Sequence, residues 1–313
     1  MRTLFKKGIL LLSAMIVASG FSAFAVSPRA GVMRVKLKPE AVREIGVNAH
    51  MRTNGKVSTG SQSIDLAVNA ISAVSIRPML PYSEKFAAAR AEFGLDQWYI
   101  VTFDANVPVA QAERILRNAE GVQRAEKIVP MSLQEGRNSF KAIDKNLAKA
   151  PAQAANKMPF NDPLLSKQWH YQNFGTIPNS VAGADINLFE GWKTTTGSSD
   201  VIVAIIDGGV DYTHEDLAAN MYVNEAELNG LPGVDDDKDG YTDNIYGFNF
   251  CTGEGLIYPH SHGTHVAGTV AAVNNNNIGV GGVAGGDGTP GSGIRLMSCQ
   301  VFDSRSGAGR RLC

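Results

Sequence analysis

The chain has 313 residues, 44% hydrophobic and 19% charged, with a formal net charge of −1 at pH 7. That composition excludes a disordered or fibrous chain, and the length suits about two domains. The near-neutral total hides a split: residues 26–160 carry 19 Lys and Arg against 12 Asp and Glu, and residues 161–313 carry 7 against 18.

Arg2, Lys6 and Lys7 precede an apolar run from Ile9 to Phe21, and Ala23-Phe24-Ala25 has the form of a signal-peptidase site. Residues 1–25 therefore read as a removed secretory signal, giving a secreted or periplasmic protein with no membrane segment after cleavage. Export permits disulfides, but Cys251, Cys299 and Cys313 leave at least one thiol unpaired. Cys251 and Cys299 read as small buried apolar groups; nothing in the sequence supports a bridge between them, though none is excluded.

Val32 to Lys38 alternates apolar and basic residues, a half-buried strand pattern. Residues 47–75 show no clear period, and Ser83 to Phe93 reads as a helix with a Ser cap and Gly94 after it. Trp98 to Phe103 reads as a strand, and Val109 to Ala119 as a helix with Ala112, Ile115, Leu116 and Ala119 on one face. A last strand is expected near Ile128. The Lys and Arg of this half are scattered, not clustered, which argues against nucleic acid as a partner. Residues 136–160, rich in Lys, Ala, Asn and Gln, read as a linker.

Val201 to Ile206 is an unbroken apolar run, the pattern of a parallel strand buried on both faces. Asp207 follows it directly, before Gly208-Gly209, so its carboxylate belongs at the strand's carboxyl end, where open α/β sheets place their sites. Asp235, Asp237, Asp239 and Asp243 surround Gly240 with the alternation that wraps a hard cation in oxygens, although Tyr246 stands where a full EF-hand has Glu. A structural calcium and a solvated acidic turn both remain open for that loop. His262 is expected to open a helix, since Val266, Ala267, Val270 and Ala271 form a stripe that ends at Asn274–Asn277. A histidine there can meet a strand-end carboxylate through one nitrogen and a cleft through the other. His260, His262 and His265 also have the His-x-His-x-x-His spacing of some zinc hydrolases, a second reading of the same segment. His260 otherwise reads as a loop residue without a role.

The blocks Val201-Ile-Val-Ala-Ile-Ile-Asp207-Gly-Gly and His262-Gly-Thr-His-Val-Ala-Gly268 resemble the Asp and His blocks of subtilisin-like serine proteases. Asn161-Asp162-Pro163 through Trp169 resembles the start of their catalytic domains. The resemblance implies an α/β fold: a subtilisin-like parallel sheet with flanking helices, preceded by a small α+β propeptide domain. It divides the chain into a signal (1–25), a propeptide (26–135), a processing linker (136–160) and the catalytic domain (161–313). It further implies a secreted endopeptidase acting on polypeptides, with Asp207 orienting His262, His265 structural, a loop calcium and no catalytic cofactor. The basic propeptide would dock on the acidic catalytic domain, aided by opposite charge.

No Gly-Thr-Ser-Met-Ala stretch of the kind that carries the family's serine occurs in the chain, and 51 residues follow His262. The expectation is a truncated or frameshifted catalytic domain, inactive as given. A non-catalytic pseudoprotease that inhibits a related enzyme or helps it fold is the alternative.

Overall fold

A computed structural model of the chain describes residues 27–46, 48–130, 158–176, 178–303 and 311–312. The expected signal, most of the expected linker, Cys313 and the segment around Gly307-Ala308-Gly309 lie outside the described residues. The described residues form two compact units, one of 27–77 with 99–130, the other of 78–98 with those from 158 onward.

The first unit is a five-stranded sheet in the order β2-β3-β4-β1-β5 with helices against it. Its strands are β1 (Val32–Leu37), β2 (His50–Met51), β3 (Ala73–Pro78), β4 (Trp98–Phe103) and β5 (Val122–Lys127). Its helices are α1 (Pro39–Ile45), α2 (Gln62–Ala70) and α4 (Val109–Arg117). Alternation decides which face is covered: Met33, Val35 and Leu37 of β1 and Tyr99, Val101 and Phe103 of β4 all point into one core. β1 pairs with β5 antiparallel, with a shift in register between Lys36 and Leu37. The sequence showed no period over 47–75, yet Ile64, Ala67 and Val68 of α2, with Ile71 just after it, form a buried stripe. Asp65 and Asn69 interrupt that stripe in sequence because they serve the preceding loop: Asp65 accepts from Thr59 N–H at 2.7 Å and Asn69 from Val57 N–H at 2.9 Å. Each fully buried Ile or Leu here contributes roughly 1.5–3 kcal/mol.

In the second unit the expected helix from Ser83 shortens to α3 (Ala87–Glu92). Residues 84–86 form a turn in place of the first helical turn: Ser83 Oγ accepts from Phe86 N–H at 3.0 Å, as its expected capping role requires, and Lys85 N–H donates to the Lys238 carbonyl at 3.2 Å. The centre of the unit is a parallel sheet in the order β6-β8-β7, with β6 Ile202–Asp207, β7 Gly247–Asn249 and β8 Arg295–Gln300. β6 and β8 pair in register from Ile202↔Arg295 to Asp207↔Gln300. The remaining helices are α5 (Leu188–Gly191), α6 (Glu225–Leu228) and α7 (Ser261–Ala271). Ile205 and Leu296 meet Ala267 and Ala271 of α7, whose small side chains admit a close approach to the sheet.

Two expectations need correcting. β6 is covered on one face only: Ile205 is buried, but Ile202 is 49% and Ile206 67% exposed. Among the described residues β6 is an edge strand, and α7 packs on the side of Ile205 alone. Cys251 is not a simple buried thiol but is disulfide-bonded, in a turn where its N–H donates to Asn249 Oδ1 at 3.0 Å. Cys299 is free and half-buried, and burial pushes its thiol up. No helix among the described residues is long and apolar enough to cross a membrane.

Candidate active site

Asp207 is the last residue of β6, where hydrogen bonding to β8 ends and the chain turns through Gly208 and Gly209. Gly209 has φ +104, and a Cβ there would lie 2.2 Å from the Tyr258 carbonyl oxygen, so only glycine lets the chain leave the strand this way. The next residue is anchored too, since Val210 N–H donates to Ser298 Oγ of β8 at 3.1 Å.

His262 is the second residue of α7, and Thr264 Oγ1 accepts from Asp211 N–H at 3.0 Å to tie that helix to the chain beyond the strand. The two anchored elements bring His262 Nδ1 to 2.8 Å from Asp207 Oδ2 and 3.0 Å from Oδ1. Gly208 N–H donates to Oδ1 at 2.6 Å, so the carboxylate is held from behind. Asp207 is nearly buried, while the His262 side chain keeps 25% of its exposure. With Nδ1 donating to the carboxylate, the neutral ring presents Nε2 as a base and the carboxylate stabilises the imidazolium that forms.

The structure lends the zinc reading of the three histidines no support. His262 Nδ1 is directed at Asp207, and His260 Nδ1 accepts from the His262 backbone N–H at 3.1 Å. No group of metal ligands among the described residues contains them.

The acidic loop does gather ligands, but not the expected four. Oxygens of Glu227, Asp235 and Asp237 lie within 4.8 Å of one another. Asp239 instead accepts from Tyr241 N–H at 2.8 Å, and Asp243 turns to Gly233 N–H at 3.1 and 3.0 Å. Glu227, on α6, carries no sequence signal because it precedes the acidic run by eight residues. Its Oε1 accepts from Asp236 N–H at 2.8 Å, and its Oε2 from Asp243 N–H at 2.7 Å. Lys85 Nζ is ion-paired with Asp237, which raises the lysine pKa and helps to lower that of Asp237 against the cost of its burial.

Two further acids have roles that the sequence did not indicate. Asp216 accepts from Val280 N–H at 3.0 Å and Asn276 Nδ2 at 2.8 Å, and Asp162 accepts from Asn275 N–H at 2.9 Å. Both hold the Asn274–Asn277 loop, where Asn275 and Asn277 take left-handed φ of +58 and +63. Burial pushes Asp216 up to about 6 and raises Asp162 as well.

Comparison with known proteins adds two family matches: residues 198–294 match the Subtilase family, and residues 33–175 match the N-terminal of Subtilase family. Subtilisin-like protease 1 of Plasmodium berghei is 34% identical over 177 residues, which is 55% of this chain and 26% of that protein. The Plasmodium vivax protein of the same name is 43% identical over 148 residues, 46% of this chain and 20% of its own length. The matched stretch thus spans about a fifth to a quarter of these curated relatives. A crystal structure of an Aeromonas sobria serine protease in complex with its chaperone is 28% identical, covering 49% of this chain and 22% of that one with a TM-score of 0.34.

Proposed function

Because the chain belongs to the subtilase family, we propose that Asp207 and His262 are two members of the Asp-His-Ser set with which a secreted endopeptidase hydrolyses peptide bonds. The observation that carries this reading is the 2.8 Å contact from His262 Nδ1 to Asp207 Oδ2 at the carboxyl end of a parallel sheet. In the reaction a serine hydroxyl attacks the peptide carbonyl while His262 Nε2 takes its proton. Asp207 holds the ring and stabilises its positive charge, and the proton then passes to the departing amine. The 313 residues supply the base and its orienter but no Gly-Thr-Ser-Met-Ala stretch, so hydrolysis by this chain alone is not expected.

The remaining assignments follow the same proposal. Residues 1–25 would direct export, 26–135 form a propeptide, 136–160 link it, and 161–313 belong to the catalytic domain of a secreted or periplasmic protein. The match of residues 33–175 to the N-terminal subtilase region supports the propeptide, and opposite charge on the two halves would favour its docking. Glu227, Asp235 and Asp237 offer the hard oxygen donors that fit calcium, which would brace the loop and take no part in the chemistry.

The test is peptide hydrolysis by the chain alone and by the chain joined to the serine-bearing remainder of a related subtilase. Turnover is expected only in the joined protein, falling on the order of 10⁴-fold in Asp207→Asn. Joined protein whose turnover survives Asp207→Asn and His262→Ala unchanged would overturn the reading.

A further inference from the structure

His260 is more than a loop residue. It is the N-cap of α7, with extended φ −132 and ψ 136, and its Nδ1 accepts from His262 N–H at 3.1 Å. Its own N–H donates to the Gly209 carbonyl at 3.2 Å, and its carbonyl accepts from Thr264 N–H at 2.9 Å. The ring is also packed on the strand end: a Cβ on Gly208 would lie 2.9 Å from His260 Cγ. The residue is 7% exposed. One side chain therefore touches the backbone directly after Asp207 and holds the backbone of His262.

From this geometry we infer that His260 is a positioning residue: its neutral imidazole caps α7 through His262 N–H and so sets the His262 ring against Asp207, an alignment that protonation of His260 would release. The inference rests on reading Asp207 and His262 as the acid–base pair. Accepting at Nδ1 requires the proton of neutral His260 to sit on Nε2, and imidazolium has no acceptor left. Asp, Asn and Ser cap helices without this property, because their oxygens accept over the whole neutral range. Burial lowers the His260 pKa, with His262 acting the same way and Asp207 opposing them. The pocket it shares is also lined by Asp211, His214, Glu215 and His265. Lowering the pH into the range where His260 protonates would thus turn the Nδ1 acceptor into a donor set against the His262 N–H, beside a histidine that must itself stay neutral to act as base.

The experiment is solution NMR on the ¹⁵N-labelled chain. At neutral pH the expected results are a scalar coupling across the hydrogen bond from His260 Nδ1 to His262 N, and a slowly exchanging His262 Nδ1 proton. His260→Ala should speed exchange of that proton about tenfold, and His260→Asn, whose Oδ1 can accept, should restore it and remove the response to His260 protonation. An unchanged exchange rate in a folded His260→Ala protein would overturn the positioning role while leaving the Asp207–His262 pair intact. Absence of a protected His262 Nδ1 proton in the unmodified chain would instead sink the pair itself. Should His260→Ala not fold, the coupling in the unmodified chain decides, and its absence overturns the cap.

Discussion

Gly263 and Gly209 approach so closely that a Cβ on Gly263 would lie 2.4 Å from the Gly209 carbonyl oxygen and 3.3 Å from Asp207 Oδ1. The start of α7 and the end of β6 touch through backbone, which is what brings His262 within hydrogen-bond reach of Asp207. Gly263→Ala should push the helix away and destabilise the second unit by about 1–3 kcal/mol. Thermal unfolding with proton NMR of His262 checks this: a stable Ala variant that keeps the Asp207–His262 bond would refute the argument.

Asp216 makes the fold sensitive to acid in an unusual direction. Its carboxyl is pushed from an ordinary 3.8 up to about 6, chiefly by burial, while bonds from Val280 and Asn276 pull it back and Asp162 pushes it further. The folded chain therefore holds a proton that the unfolded chain releases. The stability this group contributes is complete below pH 3.8 and is lost as pH rises through about 6. Asp216→Asn should gain on the unmodified protein by on the order of 1 kcal/mol between pH 4 and 7. Denaturant titrations at several pH values give the comparison; a difference that does not change with pH would contradict it.

Lys85 sits on Asp237, one of the three clustered acids, and so competes with any cation bound there. Calcium titration by calorimetry should show affinity rising about fivefold in Lys85→Met, the effect of removing one unit charge worth about 1 kcal/mol at close range in water. Glu227→Gln should weaken the same binding. Calcium affinity indifferent to both changes would exclude this cluster as its site.

The two faces of β6 and β8 should respond differently to mutation. Leu296 is fully buried against the α7 side, so Leu296→Ala should cost about 2–5 kcal/mol. Ile206 is 67% exposed, and Ile206→Thr should stay within about 0.5 kcal/mol. Equal costs in chemical denaturation would show that the second face is covered after all.

Much of this was readable from the residues. Alternation in β1, the strand run from Trp98 to Phe103, the apolar run ending at Asp207 and the helical stripe after His262 are local patterns, and each became the expected element. Patterns broken by polar residues with tertiary duties were not readable: Asp65 and Asn69 hid α2, and a turn bonded to the Lys238 carbonyl stands in place of the first turn of the helix expected from Ser83. At the candidate site the pair was legible because its motifs are contiguous. The parts played by His260, Glu227 and Asp216 were not legible because they depend on groups brought near by folding, as with Asp216 and Val280, 64 residues apart. Burial of both faces of β6 was overread, since an apolar run states what can be covered and not what covers it.

The most direct measurement is the low-field proton spectrum of the chain, with His262 Nδ1 assigned, in the unmodified protein and in Asp207→Ala. A pre-assembled acid–base pair predicts a slowly exchanging Nδ1 proton that disappears when the carboxylate is removed. A His262 ring with no such proton, or one that persists in Asp207→Ala, would mean that Asp207 does not orient His262, and the peptidase reading of this site would fall.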